Sequence, residues 1–232
     1  PENTLAAFRR AVEIGADLIE LDVRFSRDRA VVVFHDRKLD RTTDGRGPVA
    51  SRTLRELQSL DAGTSFSPAY AGERIPLLDE VLVELRSSPP RLFIEIKIDP
   101  GEEAVREELT PAVLRLVHDR GWRERATVAS FDRESLRLAR RLDPGVSAGL
   151  IFSAPEAWER EAVGGYDGLD VLCARWNIVS EERTSRARAA GREVYAWTID
   201  REEELRPVLA AGVDAAASNH PRWLKERLAR SQ

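Results

Sequence analysis

The chain alternates between two hydrophobic patterns along most of its length. Apolar, strand-like segments are separated by stretches in which apolar residues recur at helical spacing. Alternation of this kind is typical of βαβ units and predicts a parallel sheet. The predicted strands are 18–24, 92–98, 126–131, 147–152, 169–174, 193–199 and 213–218, and the predicted helices between them lie at about 102–120, 133–142, 155–163, 181–190 and 201–211.

One more helix precedes the first predicted strand, because Thr4 is a typical N-cap residue and the helical spacing that follows it stops at Gly15. Seven strands with a helix before the first fit a TIM (β/α)8 barrel better than an open doubly wound sheet. We therefore expect a single barrel domain over residues 1–232 whose first strand is missing from this chain. The chain starts at Pro1 and contains no methionine, so its natural start is expected upstream.

The passage from 36 to 91 departs from this rhythm. It holds a polar loop over 40–51, a short helix near 53–60, and a loop rich in Gly, Ser and Pro over 62–76. Long loops at the C-terminal ends of barrel strands are often functional. We expect a small insertion here that covers one face of the scaffold.

Charge and composition exclude several classes of partner. A formal net charge of −4 gives no field that would gather nucleic acid or an anionic membrane. No stretch approaches the roughly 18 apolar residues that span a bilayer. The single cysteine, Cys173, lies in the apolar run LDVLCA and is predicted to be a buried small hydrophobe. A cytoplasmic location is expected, although an upstream signal peptide would change it.

The run ELDV carries two carboxylates on one face of a strand, since side chains alternate and Glu20 and Asp22 are two residues apart. In a barrel this face points inward, and Glu95 occupies the matching face of a second strand. Such a cluster of carboxylates favours a hard divalent cation, Ca²⁺ or Mg²⁺. The alternative is a buried ion pair of Glu95 or Asp22 with Lys97 or Arg24.

A candidate catalytic histidine follows this strand closely. The apolar run AVVVFHD begins after only a short polar turn, which predicts a hairpin instead of a helical crossover. A hairpin centred on Asp28 and Arg29 brings His35 opposite Asp22, to within a residue or two. We interpret His35 as a general acid or base beside the carboxylates. The alternative is a structural histidine of the core or surface.

The other two histidines are weaker candidates. His118 lies at the end of a predicted helix and is interpreted as a residue of its last turn. His220 follows the last predicted strand and could line the mouth of the barrel.

Taken together, these motifs resemble the glycerophosphodiester phosphodiesterase family. The resemblance runs from Pro1 to about Pro221 in the family's order, through PENTLAAFRRAVEIGADLIELDVRFSRD, HDRKLDRTTDGRGPV, LREL, LDAG, IPLLDEVL, FIEIK, SFD and YAWTID. It implies a metal-dependent barrel enzyme of lipid and glycerol metabolism. Such an enzyme hydrolyses a small-molecule glycerophosphodiester to sn-glycerol 3-phosphate and an alcohol.

The resemblance also implies roles for individual residues. It implies Glu20, Asp22 and Glu95 as ligands of one divalent cation, and His35 as one of two acid/base histidines. Lys97 would hold a phosphate oxygen. These roles would place the reaction at the inward face of the first two predicted strands.

Two aromatic residues are candidates for contact with the glycerol or the leaving group. They are Phe131 in SFD and Trp197 in YAWTID. Packing in the core is the alternative for both.

The chain departs from the family pattern in two places. The family carries a His-Arg-Gly motif at the end of its first barrel strand, which supplies the second histidine and a phosphate-binding arginine, and this chain starts after that motif. In AASNHP, after the last strand, the family more usually has an acidic residue. Two alternative functions stay open: a lysophospholipase D-like activity and, because the His-Arg-Gly segment is absent, a catalytically impaired barrel that binds phosphodiesters.

Overall fold

The computed structural model describes residues 1–163 and 167–230. Its strands are β1 (Leu18–Phe25), β2 (Val31–Val33), β3 (Arg91–Ile96), β4 (Ala126–Ser130), β5 (Ser147–Phe152), β6 (Val171–Arg175), β7 (Glu193–Trp197) and β8 (Ala215–Ala216). Its α-helices are α1 (Leu5–Ile14), α2 (Leu54–Gln58), α3 (Leu78–Glu84), α4 (Arg106–Asp119), α5 (Arg133–Leu142), α6 (Pro155–Val163), α7 (Glu181–Ala189), α8 (Glu202–Ala211) and α9 (Pro221–Arg230).

The strands form one sheet in the order β2-β1-β3-β4-β5-β6-β7-β8. Strand β2 pairs antiparallel with β1, while β1 and β3 to β8 pair in parallel. A helix follows each parallel strand from β3 to β8, as βαβ units require. The predicted α/β fold is confirmed, and its architecture is that of a TIM-like barrel.

The two faces of the sheet pack against different partners. On the helix side, alternate residues of β1 and β3, such as Leu21 and Ile94, are fully buried in one cluster with side chains of the flanking helices. On the inner side, Phe93, Cys173 and Tyr195 belong to a second cluster. Burial on both faces explains why the parallel strands read as nearly continuous apolar runs.

The hairpin of β1 and β2 joins the sheet to the segment that follows it. Val31 and Val33 pack into the helix-side core. Val32 and Phe34 face the other way, into a separate cluster with five buried residues of the segment 36–77. Those five residues are Leu39, Val49, Leu57, Ala62 and Ile75. The segment 36–77, which interrupts the alternation of strands and helices, is therefore a small unit with its own hydrophobic cluster, packed against the hairpin.

The hairpin register differs by one residue from the predicted one. Val23 pairs with Val33 and Phe25 with Val31, so the centre is Asp28 alone. The turn holds three residues instead of two, because Arg29 adopts the left-handed conformation with φ 63°. Three-residue hairpin loops commonly place one residue in that region.

Three further elements differ from the sequence predictions. The sequence predicted one helix in the passage 36–91, and the structure has a second one there, α3. It also has a helix after the last strand, α9, that was not predicted. Helix α3 buries Leu78, Val81 and Leu82. Strand β8 is only two residues long, against the predicted 213–218.

Gly149 on β5 provides a test of packing inside the barrel. A Cβ atom at this position would lie 2.9 Å from Cε2 of Phe93 and 3.3 Å from Cγ2 of Thr127. We expect Gly149→Ala to lower the free energy of unfolding by about 1–3 kcal/mol through overpacking, measured by urea denaturation. The same substitution in a Phe93→Leu background should cost less, since the ring is gone. An equal cost in both backgrounds would show that the ring is not the obstacle.

Candidate active site

Three carboxylates meet on the inner face of β1 and β3. The parallel register places Asp22 beside Glu95 and Glu20 beside Phe93. One carboxylate oxygen from each of Glu20, Asp22 and Glu95 lies within 4.8 Å of the other two. The predicted cluster is thus brought together by the pairing of two strands that are about 70 residues apart in sequence.

Burial and mutual repulsion disfavour the charged forms of two of these groups. Loss of hydration raises the pKa of Glu95 to about 7, an effect that Lys97 opposes and Asp22 reinforces. Although Glu20 is exposed as a residue, loss of hydration at its carboxylate raises the pKa of Glu20 well above its usual range, and the charges of Asp22 and Glu95 raise it further.

A single lysine reaches into the cluster. Nζ of Lys97 lies 2.7 Å from Oε1 of Glu95 and 3.2 Å from Oδ1 of Asp22. The ion pair that was the alternative to a metal site is therefore present for Lys97, whereas Arg24 pairs elsewhere. One ammonium group does not balance three carboxylates, so all three can be ionised together only if a further cation offsets their repulsion.

The donor set suits a hard divalent cation. All candidate ligand atoms are carboxylate oxygens, which Ca²⁺ and Mg²⁺ prefer. Oδ1 of Asp22 is buried and accepts no aligned hydrogen bond, although Lys97 is near. A buried oxygen without a hydrogen bond is costly unless another partner is supplied. The residues present therefore fit a divalent cation.

His35 lies at the point where the hairpin returns to the level of Asp22. The backbone N–H of Phe34 donates to the backbone oxygen of Asp22 at 2.9 Å, so His35 comes one residue beyond that pairing. The His35 side chain is 50% exposed, which leaves the imidazole accessible. Its Nδ1 lies 2.6 Å from Oδ1 of Asp36. The sequence prediction that His35 lies near the carboxylate strand is in accord with this placement.

Asp36 is held in its ionised form by Arg41. The Arg41 guanidinium contacts both oxygens of Asp36, at 2.7 and 2.9 Å. These hydrogen bonds lower the pKa of Asp36 to about 2, and the contact with His35 contributes. Arg41 also donates to Glu2 at 2.6 and 2.7 Å. A charged chain thus runs from Glu2 through Arg41 and Asp36 to His35.

A second ion pair anchors the backbone of His35. Nε of Arg24 donates to the backbone oxygen of His35 at 2.9 Å. The same guanidinium pairs with Asp99 at 2.6 Å, and both side chains are largely buried. Asp99 follows β3, the strand that carries Glu95 and ends just before Lys97. This pair therefore ties the histidine to the strand of the carboxylate cluster.

The two predicted aromatic residues contact each other at the C-terminal ends of their strands. The rings of Phe131 and Trp197 form an edge-to-face pair with centroids 5.8 Å apart. Phe131 is 49% exposed, whereas Trp197 is partly buried against the inner cluster. A role for either in binding substrate stays a prediction.

The remaining candidates lie outside this group. Cys173 is buried in the inner cluster, as predicted, and burial raises the pKa of its thiol. His118 lies in the last turn of α4 and its side chain is 75% exposed, which confirms its interpretation as a helix-end residue. His220 is exposed before α9, and its place at the mouth stays a prediction.

Sequence reasoning missed the polar residues that surround the candidates. Asn3 contacts Asp22, and Glu2, Arg41 and Asp36 support His35. Two segments held a signal: PENT contains Glu2 and Asn3, and HDRKLDR contains Asp36 and Arg41. Both enter the family resemblance, but neither gave these residues a role.

The fold and the site define an α/β barrel with a carboxylate cluster, a lysine and a histidine at one end of its parallel strands. A family model described as "Glycerophosphoryl diester phosphodiesterase family" matches residues 1–222. The chain belongs to that family, and with it to the phosphoric diester hydrolases.

Individual relatives match over nearly their whole length. A glycerophosphodiester phosphodiesterase of Caldanaerobacter subterraneus subsp. tengcongensis is 36% identical over 230 residues, which cover 97% of this chain and 90% of the relative. The solved structure of an Oleispira antarctica phosphodiesterase in complex with the product sn-glycerol-3-phosphate is 31% identical, with a TM-score of 0.89 and coverage of 99% and 92%. That of a glycerophosphodiester phosphodiesterase from Agrobacterium tumefaciens is 28% identical, with a TM-score of 0.78 and coverage of 96% and 92%.

Among residues 1–163 and 167–230, no helix is both long enough and apolar enough to cross a bilayer.

The crowding of carboxylates leads to a prediction about stability. Because Glu20 repels Asp22 and Glu95, we expect Glu20→Gln to raise the Tm in EDTA by about 2–4 °C, measured by differential scanning calorimetry. The exposed Glu226 in the middle of α9 is the matched control, and Glu226→Gln should leave the Tm unchanged. A lower Tm for Glu20→Gln would mean that the carboxylate stabilises the protein without a cation.

Proposed function

We propose that the chain hydrolyses glycerophosphodiesters to sn-glycerol 3-phosphate and an alcohol, with one divalent cation and His35 as an acid/base residue. The observation that carries the proposal is the meeting of three carboxylate oxygens within 4.8 Å, beside Lys97 and close to the hairpin that presents His35. Family membership supports the same reaction, and the product in the related Oleispira antarctica structure is sn-glycerol-3-phosphate.

Glu20, Asp22 and Glu95 would hold the cation, which is Ca²⁺ or Mg²⁺ by the chemistry of its ligands. When bound, it supplies positive charge that offsets the charge that develops on the phosphoryl oxygens. Lys97 would bind a phosphate oxygen of the substrate. Its ammonium group contacts two of the carboxylates that would hold the cation, so a phosphate group bound at the cluster would lie close to it.

His35 would move the proton of the entering or leaving oxygen. A carboxylate only accepts hydrogen bonds, so the ionised Asp36 requires that Nδ1 of His35 carries a proton. Nε2 is then the nitrogen that accepts or donates a proton during the reaction. Arg24 and Asp99 hold the backbone at this position, which reduces the freedom of the imidazole.

Other parts of the site are proposals of the same kind. Phe131 and Trp197 would pack against the glycerol or the leaving group, since their paired rings lie at the C-terminal ends of β4 and β7.

The sheet ends at β8 on one side and at β2 on the other. A first barrel strand with a His-Arg-Gly motif, a single domain over residues 1–232 and the insertion over 36–91 stay predictions.

The first test is turnover. We expect the chain, after treatment with EDTA, to release glycerol phosphate from glycerophosphocholine only when Ca²⁺ or Mg²⁺ is added back, as followed with a coupled dehydrogenase assay. Glu95→Gln should lower turnover at limiting cation by at least about 10²-fold, because a ligand is lost. Glu13→Gln on the exposed face of α1 is the control and should retain parental turnover.

Other outcomes of this assay point to the alternatives. Faster release from lysophosphatidylcholine than from glycerophosphocholine would favour the lysophospholipase D-like activity. Binding of glycerophosphocholine without turnover would favour the impaired, phosphodiester-binding barrel. Full activity in EDTA would contradict the proposed role of the cation.

The charged residues that support His35, Asp36 and Arg41, give a second prediction. Asp36→Asn removes the carboxylate that accepts from Nδ1 of His35 and thereby fixes the tautomer and orientation of the ring, so we expect kcat to fall by on the order of 10²-fold with little change in KM. Asp143→Asn is a matched control, since Asp143 also pairs with an arginine, Arg123, but lies before β5. Steady-state kinetics of both variants would check this. An unchanged kcat for Asp36→Asn would exclude the role given to Asp36.

A further inference from the structure

The first four residues of the chain form a rigid link between α1 and the carboxylate cluster. Thr4 is fully buried and caps α1: its hydroxyl accepts from the backbone N–H of Ala7 at 3.3 Å and donates to the backbone oxygen of Pro1 at 2.7 Å. Asn3 adopts the left-handed conformation with φ 56°, which asparagine enters more readily than most residues. The cap and this conformation together direct the Asn3 side chain towards β1.

Asn3 makes two contacts with one residue, Asp22. Its Nδ2 donates to Oδ2 of Asp22 at 2.8 Å, and its Oδ1 accepts from the backbone N–H of Asp22 at 3.2 Å. The backbone oxygen of Asp22 accepts from Phe34. The backbone N–H and C=O of a strand residue point to the same side of the strand. On the side of β1 that faces β2, the C=O of Asp22 is therefore paired with Phe34 and its N–H with Asn3, just beyond the end of β2.

This arrangement makes the two oxygens of Asp22 inequivalent. Oδ2 is engaged by the amide of Asn3, whereas Oδ1 is buried, lies 3.2 Å from Nζ of Lys97 and accepts no aligned hydrogen bond. Because the Asn3 amide forms hydrogen bonds with both the backbone and one carboxylate oxygen of Asp22, that carboxylate has little rotational freedom. Oδ1 is therefore the oxygen of Asp22 that is not bonded to Asn3 and that lies on the side of Lys97 and Glu95.

We propose that Asn3 is the positioning residue of the cation site, which fixes Asp22 so that Oδ1 serves as its ligand atom. The inference rests on the proposed function, because it assumes that the cluster binds a cation. Groups that orient a metal ligand typically contribute a factor of about 10–100 to metal affinity. Loss of the Asn3 amide should raise the Kd for the cation by that factor.

The test measures cation affinity directly. The parent chain, Asn3→Gly and Asn3→Ala are freed of metal with EDTA and titrated calorimetrically with Ca²⁺ or Mg²⁺ alone. Glycine accepts the left-handed conformation and alanine resists it, so the pair separates loss of the amide from strain of the backbone. Asn219→Ala is the matched control, because Nδ2 of Asn219 donates at 2.8 Å to Asp200, an aspartate outside the cluster. Melting curves in EDTA verify that each variant is folded.

We expect both Asn3 variants to bind about 10–100-fold more weakly than the parent, with Asn219→Ala unchanged. Turnover of Asn3→Gly should recover when the cation is raised to saturation, which a general loss of structure would not allow. Weakened binding in Asn3→Ala alone would overturn the inference in favour of a backbone role. Parental affinity in both variants would overturn it while the proposed function stands. A parent chain that binds no cation would overturn both.

Discussion

The parallel pairing of β1 with β3 is the constraint on which the rest of the site depends. It fixes Asp22 beside Glu95, and the pleat of the strands turns both side chains to the inner face. Backbone hydrogen bonds maintain this register against the repulsion of the carboxylates. The apolar residues on the opposite face, Leu21 and Ile94 among them, are fully buried under the helices and stabilise the same pairing. The core on one face therefore supports an electrostatically unfavourable site on the other.

The histidine depends on the same strand through a different contact. The hairpin that follows β1 returns His35 to the level of the cluster, and contacts to its backbone and to its ring limit its position. Arg24 and Asp99 hold its backbone, while Asp36 fixes its ring. These are partly or largely buried charge-assisted contacts, which have more influence on geometry than exposed surface pairs. The proton-transfer group and the proposed cation ligands are thus parts of one connected framework.

Much of this arrangement follows from local pattern. The period of two in ELDV and FIEIK places Glu20 and Asp22 on one face of their strand and Glu95 on the matching face of its own, and the barrel fold turns that face inward. The helices over 133–142 and 155–163 coincide with the predicted bounds, since apolar spacing and caps are local signals. Helix α3 was missed because it follows a long irregular segment. The hairpin register lies one residue from the predicted pairing, within the residue or two that the prediction allowed, because the conformation of Arg29 sets the turn length.

The sequence by itself thus determined the class of fold, the carboxylate cluster and the approach of His35, because each rests on alternation or on a short connection. Only the tertiary structure decided which groups hold those side chains in place. Asn3 reaches Asp22 across 19 positions, Arg41 reaches Glu2 across 39, and Arg24 reaches Asp99 across 75. Contacts between residues so far apart in sequence produce no periodic pattern from which they could be predicted. They exist only because packing of the helices against the sheet brings the segments together.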